Sequence, residues 1–307
     1  MKKKIVILGS TNIDHIARVQ RIPVPGETVG DGIYSKAFGG KGFNQAVAAT
    51  RAGGNVTFLS SVGGDEDGRR IISYLQQAGA DTGHVIYKSD SPTGAAFIFV
   101  DDHGENCIVV SPGANKELKV AEVESLADVI ASADYLVMQM ELPYDCAEAA
   151  AEIAIRSNTF VLLNPAPACK LTNRLMSMID LLVVNEIEAE IISGRSIDKT
   201  GVGMMAELLV GMGAKSVIIT LGTDGCYFRN EKDNEKFPAY KVNAIDSTGA
   251  GDTFCGALIT YLADIGQISG AIKFASAAAA LSVQKLGAAP SIPDKKEIEQ
   301  FISANKF

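Results

Sequence analysis

Runs rich in Val, Ile and Leu recur along the chain at residues 5–8, 56–62, 135–138, 160–163, 181–184 and 217–220. Each is apolar at nearly every position, as a strand covered on both faces must be, and each is predicted to be a strand. Residues 44–52, 67–78, 120–130, 146–156 and 203–212 instead space their apolar side chains along one face of a helix. Strand and helix in alternation imply βαβ crossovers, so the predicted fold is α/β, a three-layer open and mostly parallel sheet with helices on both faces. Two excursions interrupt the rhythm. Residues 15–38 carry Pro23, Pro25 and several glycines without a helical period. Residues 94–113 alternate apolar side chains (Phe97, Phe99, Ile108, Val110) around the polar turn Asp101-Asp102-His103-Gly104-Glu105-Asn106, a hairpin signal. Together they predict a small antiparallel β lid standing off the main body, able to cover a ligand. So small a sheet would need its exposed face or edge covered, and pairing with a second copy of the chain is one way to do it. No repeat, low-complexity tract or long linker divides residues 1–307, which are expected to form a single domain.

Charge narrows the choice of partner. With 28 Lys+Arg against 36 Asp+Glu the chain carries −8 at pH 7, a poor match for phosphate backbones or anionic lipid, so neither nucleic acid nor membrane is an expected partner. The lysines at positions 2–4 precede an apolar run that stops at Gly9, too short for a signal peptide. The longest apolar run, residues 274–283, is about half of what a bilayer span requires. Five scattered cysteines without a C-x-x-C pair suggest neither a disulfide framework nor a zinc site, and point to a reducing, cytoplasmic setting.

Two glycine-rich segments carry candidate chemistry. Asp246-Ser247-Thr248-Gly249-Ala250-Gly251-Asp252 opens into a helical pattern. Small residues let a ligand approach the backbone, and the free amides of a first helical turn favour an anion such as a transferring phosphoryl group. A carboxylate there, Asp252, is placed to take the proton of an attacking hydroxyl; taken alone, an Asp at a helix start is more often only a cap. Gly39-Gly40-Lys41-Gly42-Phe43-Asn44-Gln45-Ala46 again sets glycines before a helix, and offers amides and the Asn44 side chain to a polyol, or merely a turn and a helix cap. There is no G-x-x-x-x-G-K-[ST] loop, and Gly9-Ser10-Thr11-Asn12 is not a dinucleotide fingerprint.

The two segments, in this order and about 200 residues apart, resemble the paired signatures of the PfkB-type, or ribokinase-like, carbohydrate kinases. Gly39-Gly40-x-Gly42-x-Asn44-x-Ala46 is followed after six residues by Gly53 and after nine more by Gly63, as in the family's N-terminal signature, and residues 246–259 fit the C-terminal one. The resemblance runs over essentially the whole chain. It implies a kinase that uses ATP, with Asp252 as general base and the amides of Gly249, Ala250 and Gly251 around the transferred phosphoryl group. It implies sugar contacts at Asn12, Asp14, Gly40, Lys41, Gly42, Asn44 and Glu141. Asn185-Glu186-Ile187-Glu188 matches the family's N-x-x-E motif, in which Asn185 approaches phosphate and Glu188 organises Mg²⁺ through water, although such a motif also arises at ordinary helix starts. The nucleotide is expected at Thr220, Gly222, Thr223, Asp224 and Gly225, with Gly251 and Ser276; a tight turn is the competing account of the Gly222–Gly225 stretch. A monovalent cation, usually K⁺, is implied at Asp246, Thr248, Ser282, Lys285, Gly287 and Ser291, and relatives suggest a homodimer through the β lid.

Within the family, Asn12-x-Asp14, the Lys41 and Gln45 pattern and Glu141 most resemble members that phosphorylate D-ribose at its 5-hydroxyl. Other members act on 2-deoxyribose, fructose, ketodeoxygluconate or nucleosides, and a sensor that kept only the fold is a further alternative. Phe43 stands where relatives carry a small Ala and either narrows the sugar pocket or points into the core; Ser276 replaces the Asn or His that many relatives place near adenine.

Overall fold

The computed structural model describes residues 2–305. The chain enters the main sheet as β1 (Lys4–Leu8), one strand in from an edge, and leaves it through β2 (Asn12–Arg18) and β3 (Ile33–Gly39). It returns by the helix Lys41–Arg51 to β4 (Asn55–Leu59), then forms β5 (Ser61–Gly63), the helix Glu66–Gln77 and β6 (Ile86–Lys88). A second excursion makes β7 (Gly94–Val100) and β8 (Asn106–Ser111). Four further strands, β9 (Tyr135–Met138), β10 (Phe160–Leu163), β11 (Leu181–Asn185) and β12 (Ser216–Thr220), are linked by helices, and β13 (Cys226–Asn230) and β14 (Asn234–Phe237) follow as a hairpin. The chain closes with the helices Ala250–Asp264, Ile268–Ser282 and Lys295–Ala304. No helix among the described residues is long and apolar enough to cross a membrane.

The main sheet has the order β14-β13-β12-β11-β10-β9-β1-β4, parallel from β4 to β12 and antiparallel only at β13 and β14. Ile5 and Ile7 of β1 face one apolar cluster while Val6 and Leu8 face the other. That two-sided burial is the reason its sequence is continuously apolar, and it establishes the expected three layers.

Two expected elements divide. The run 56–62 contributes β4 to the main sheet, but beyond Ser60 it leaves to pair with β6, so it is two strands in two sheets. The stretch 120–130 is two short helices, Val120–Ser125 and Ala127–Ala131, parted at Leu126. The excursions build a second, small sheet, with the strand order β3-β2-β7-β8. Its outer pairs are antiparallel as expected, whereas β2 and β7 meet in parallel because both leave the main body in the same direction.

Parallel strands all present their carboxyl ends at one edge, which is where ligands bind such sheets. Ser10–Asn12 follow β1, Gln139–Glu141 follow β9, Asn164 follows β10, Asn185 ends β11 and Thr220 ends β12. Two helices pack across this edge, Lys41–Arg51 against Ala250–Asp264, and glycines set their separation. A Cβ at Gly256 would lie 2.5 Å from the Gln45 carbonyl oxygen, and one at Gly42 would lie 2.4 Å from Gly9 Cα. The Phe43 ring, fully buried, packs on Phe38 and Tyr74 with centroids at 6.1 and 5.8 Å. It belongs to the core and does not narrow the sugar side.

Candidate active site

Asp252 lies in the first turn of the helix Ala250–Asp264, where Gly249 adopts a left-handed conformation (φ 74°) that turns the chain into the helix. No side chain caps this end, and among the described residues the amides of Gly251 and Asp252 have no acceptor. An open helix start of this kind holds an anion through its amides and the helix dipole. Asp252 itself is buried, 6 % exposed, and does not cap its own helix. Its two oxygens accept hydrogen bonds from the neighbouring helix, Oδ2 from Asn44 Nδ2 at 3.0 Å and Oδ1 from Gln45 Nε2 at 3.1 Å.

A cavity of about 210 Å³ opens in front of this carboxylate, lined among others by Lys41, Asn185, Glu188, Thr220, Gly249 and Gly251. Burial pushes the Asp252 carboxyl above its ordinary range, against the pull of Lys41 and the two amide donors. Burial disfavours the Lys41 ammonium, yet Asp252, Glu141 and Glu188 around it outweigh that cost and hold its pKa above the usual lysine value. The proposed sugar contact Lys41 thus also faces the cavity on the phosphate side. Glu188 is buried, and burial raises its pKa. It forms a reciprocal cap with Asn185: Glu188 Oε2 accepts the Asn185 amide at 2.9 Å, and Asn185 Oδ1 accepts the Glu188 amide at 2.8 Å. The N-x-x-E motif is therefore a real helix start, with the second Glu188 oxygen left for the cavity.

On the other side of Asn44 lie the residues expected to hold sugar. The helix Lys41–Arg51 begins at Gly40, which supplies no capping side chain, and Glu141 takes that place from the end of β9. Glu141 Oε2 accepts the Lys41 amide at 3.0 Å and the Ser10 hydroxyl, while Ser10 Oγ accepts the Gly42 amide at 3.3 Å. Asn12 is held by Asn115, whose Nδ2 donates to Asn12 Oδ1 at 2.8 Å and whose Oδ1 accepts the Thr11 amide at 2.9 Å. The Asp14 carboxyl fills the space that Gly39 leaves free: a Cβ there would lie 2.3 Å from Asp14 Oδ2. Ser10 and Asn115 escaped the sequence reading. Ser10 follows an apolar parallel strand, a position that signals the binding edge, but Asn115 sits on a short turn that carries no local signal.

The expected nucleotide residues separate into two groups. Thr220 and Gly251 line the cavity, and Gly222, Thr223 and Asp224 form an exposed turn after β12. Gly225 has a structural reason of its own, because φ is 88° and a Cβ would fall 1.9 Å from the Phe237 carbonyl oxygen. Ser276 lies half-buried within the helix Ile268–Ser282 and is not among the cavity's lining residues. In the expected cation loop, Asp246 Oδ1 accepts the Thr248 amide and hydroxyl at 2.9 and 2.6 Å, and Oδ2 accepts the Gly287 amide at 2.8 Å. Burial works against the Asp246 charge, but these donors and Arg18 prevail and keep its carboxyl below the ordinary range, hence ionised. Ser282 and Lys285 are joined through the backbone, the Lys285 amide donating to the Ser282 carbonyl at 3.1 Å. Ser291 closes the loop on Ala288, whose Cβ would touch one placed on Gly249 at 2.9 Å. The loop expected to hold the cation and the helix start thus share a wall.

An amide-open helix start, a buried carboxylate beside it and a polar cleft in front of both form the equipment of a phosphotransferase acting on a small hydroxyl compound. A family model described as pfkB family carbohydrate kinase matches residues 2–295. The chain is 42 % identical over 303 residues to a ribokinase of Staphylococcus aureus, spanning 98 % of this chain and 100 % of that protein. To a ribokinase of Haemophilus influenzae it is 41 % identical over 303 residues, 98 % of this chain and 99 % of that one. A structure of Arabidopsis thaliana ribokinase complexed with ribose and ATP matches with a TM-score of 0.90 at 26 % identity, covering 98 % of this chain and 99 % of that chain. The chain belongs to the pfkB family of carbohydrate kinases.

Burial, with the charge of Glu141 added, pushes the Asp14 carboxyl from 3.8 up to about 7. In the unfolded chain the group ionises near 3.8, so between that pH and about 7 the folded protein keeps a proton that the unfolded chain has lost. Asp14 therefore penalises folding increasingly as pH rises, and fully above about 7. Asp14→Asn removes the penalty. Its urea midpoint should exceed that of the wild type by more at pH 8 than at pH 5, and an equal difference at both would contradict the assignment.

Proposed function

We propose that the protein transfers the γ-phosphoryl group of ATP to the 5-hydroxyl of D-ribose, forming ribose 5-phosphate and ADP. The observation that carries this reading is the placement of Asp252: its carboxylate touches Asn44 on the sugar side and lines the cavity at the open helix start on the phosphate side. The relatives named ribokinase, one complexed with ribose and ATP, support the choice of substrates.

In this reading Asn12, Asp14, Gly40, Gly42, Asn44 and Glu141 orient the sugar, since carboxylates accept and amides both donate and accept at vicinal hydroxyls. Asp252 accepts the proton of the 5-hydroxyl as its oxygen bonds to the γ-phosphorus, and the bond from that phosphorus to the β–γ bridging oxygen breaks to release ADP. The amides of Gly249, Ala250, Gly251 and Asp252 and the Lys41 ammonium balance charge on the transferring group. Thr220, Gly222, Thr223, Asp224 and Gly225 border the nucleotide, and Asn185 approaches its phosphates; Ser276 is left to a role at the adenine end. The second Glu188 oxygen suits a Mg²⁺ ion held through water, which supplies neutralisation of the phosphates when bound. The ionised Asp246, with Thr248, Ser282, Lys285, Gly287 and Ser291, suits a monovalent cation such as K⁺. The lid closes over the sugar and excludes water, a competing acceptor.

Two further parts complete the reading. All residues of β8 are exposed at the lid's edge, Ile108, Val109 and Val110 by 51, 61 and 52 %, and a second copy of the chain is the partner that covers them. The five cysteines are free thiols, in keeping with a cytoplasmic setting.

Sugar-dependent ADP release with Mg-ATP and potassium tests the substrate, comparing D-ribose with 2-deoxyribose, fructose and adenosine. D-Ribose should give the highest kcat/KM; release with a different acceptor alone would move the specificity elsewhere in the family. For the lid, Val109→Lys should convert a dimer into a monomer in sedimentation velocity. A wild type that sediments as a monomer at micromolar concentration would overturn this interface.

A further inference from the structure

Behind Asp252 lies a buried chain of side-chain amides, Gln45, Gln139 and Asn164, of which Asn164 also lines the cavity. Gln45 Nε2 has two protons and spends both, one on Asp252 Oδ1 at 3.1 Å and one on Asn164 Oδ1 at 3.1 Å. Its Oε1 accepts from Gln139 Nε2 at 2.7 Å. Asn164 in turn donates from Nδ2 to the backbone carbonyl of Val183 at 2.9 Å. Gln45 and Gln139 are 0 and 2 % exposed and Asn164 is 8 % exposed.

The polarity of this chain is determined from one end. A backbone carbonyl only accepts, so Val183 compels Asn164 to turn its Nδ2 towards β11 and its Oδ1 towards Gln45. The Gln45 side chain must then present its NH₂ there, which is also the only group of a glutamine that an ionised Asp252 accepts. Its oxygen is left facing Gln139, which must donate. Gln139 fits because Gly9 has no Cβ; one built there would lie 2.2 Å from Gln139 Oε1. That oxygen is buried without a hydrogen bond, so the Gln139 amide is oriented through its nitrogen alone.

We infer that Gln139 and Asn164 are positioning residues for phosphoryl transfer, which lock the Gln45 amide from either side so that it donates to Asp252 and holds the carboxylate towards the acceptor hydroxyl. The assignment rests on the reading of Asp252 as general base. A Gln45 amide free to turn over would set its oxygen against a carboxylate, and Asp252 would rotate or lose its ionised form. The charged and titratable groups around Asp252, namely Lys41, Glu141, Glu188 and Cys255, act on it through charge, and its carboxylate accepts hydrogen bonds from Asn44 and Gln45 instead. Gln139 lines neither the cavity nor the proposed sugar contacts, so its effect is on geometry at the reacting hydroxyl and not on sugar or ATP affinity, whereas Asn164 also lines the cavity.

A double-mutant cycle separates this role from packing. Single-turnover transfer to D-ribose, together with kcat and KM, is measured for the wild type, Gln45→Met, Gln139→Met and the double variant, with thermal unfolding as a check on the fold. Gln139→Met should lower the transfer rate by about tenfold, less than the ~10²–10⁴-fold that outright loss of an acid–base group costs, with both KM values within about twofold of the wild type. In the Gln45→Met background the same substitution should cost nothing further, since Gln139 acts through Gln45. Should Gln139→Met fail to fold, Asn164→Leu enters the same cycle with the same expectation for the transfer rate and its non-additivity, but not for KM, because Asn164 also lines the cavity. Additive losses, or a change in KM with an unaltered transfer rate, would overturn the proposal while leaving the kinase reading intact. A wild type without sugar-dependent transfer would overturn the kinase reading, and the proposal with it.

Discussion

A buried carboxylate at the start of a helix is the constraint from which the site follows. Removed from water, Asp252 loses its solvation, and an ionised group so placed persists only with partners. It finds them in Asn44, Gln45 and the Lys41 charge, all in the first turns of one helix. Because those donors lie on the neighbouring helix, Asp252 does not bend back to cap its own. The amides of Gly251 and Asp252 therefore remain open beside a negative charge, and the two face one cavity. A base and an anion site would normally repel one another's ligands; here Lys41 lies between Asp252, Glu141 and Glu188 and offsets their charge.

This arrangement depends on how closely two helices approach. Gly256 allows the helix Ala250–Asp264 to come within van der Waals contact of the Gln45 carbonyl, and Gly42 allows the other helix to sit on the turn after β1. Larger side chains at either position would separate Asp252 from its donors. The start of the first helix depends equally on Glu141, which substitutes for the cap that Gly40 lacks. A residue expected to bind sugar thus also holds in place the loop that presents Lys41 and Asn44, so substituting it disturbs more than one contact.

What could be read from the chain followed from local physics. Strands β1, β9, β10, β11 and β12 were legible because both faces are covered and their apolar runs are unbroken. The lid hairpin was legible from the alternation around Asp101–Asn106, but its parallel centre was not, because Asn12 pairs with Gly94, far away in sequence. The hairpin of β13 and β14 escaped notice: at the sheet's edge Arg229, Asn230, Asn234 and Glu235 need no apolar pattern. The break at Ser60 depends on the distant β6, which takes β5 into another sheet. Within the site, the glycine loops and Asp252 carried a recognisable spacing. The hold of Asn115 on Asn12 did not, since it exists only once the lid has folded, and whether Phe43 faced sugar or core was decided by Phe38 and Tyr74.

The central claim is that the Asp252 carboxylate acts in transfer and not in binding. Asp252→Asn keeps the size of the side chain and removes its capacity to accept a proton. Titration calorimetry with ATP and with D-ribose, alongside single-turnover transfer, measures both consequences on one protein. The account predicts that both affinities stay within a few-fold of the wild type while transfer falls by about 10³-fold or more. Transfer within about tenfold of the wild type, with binding intact, would contradict it.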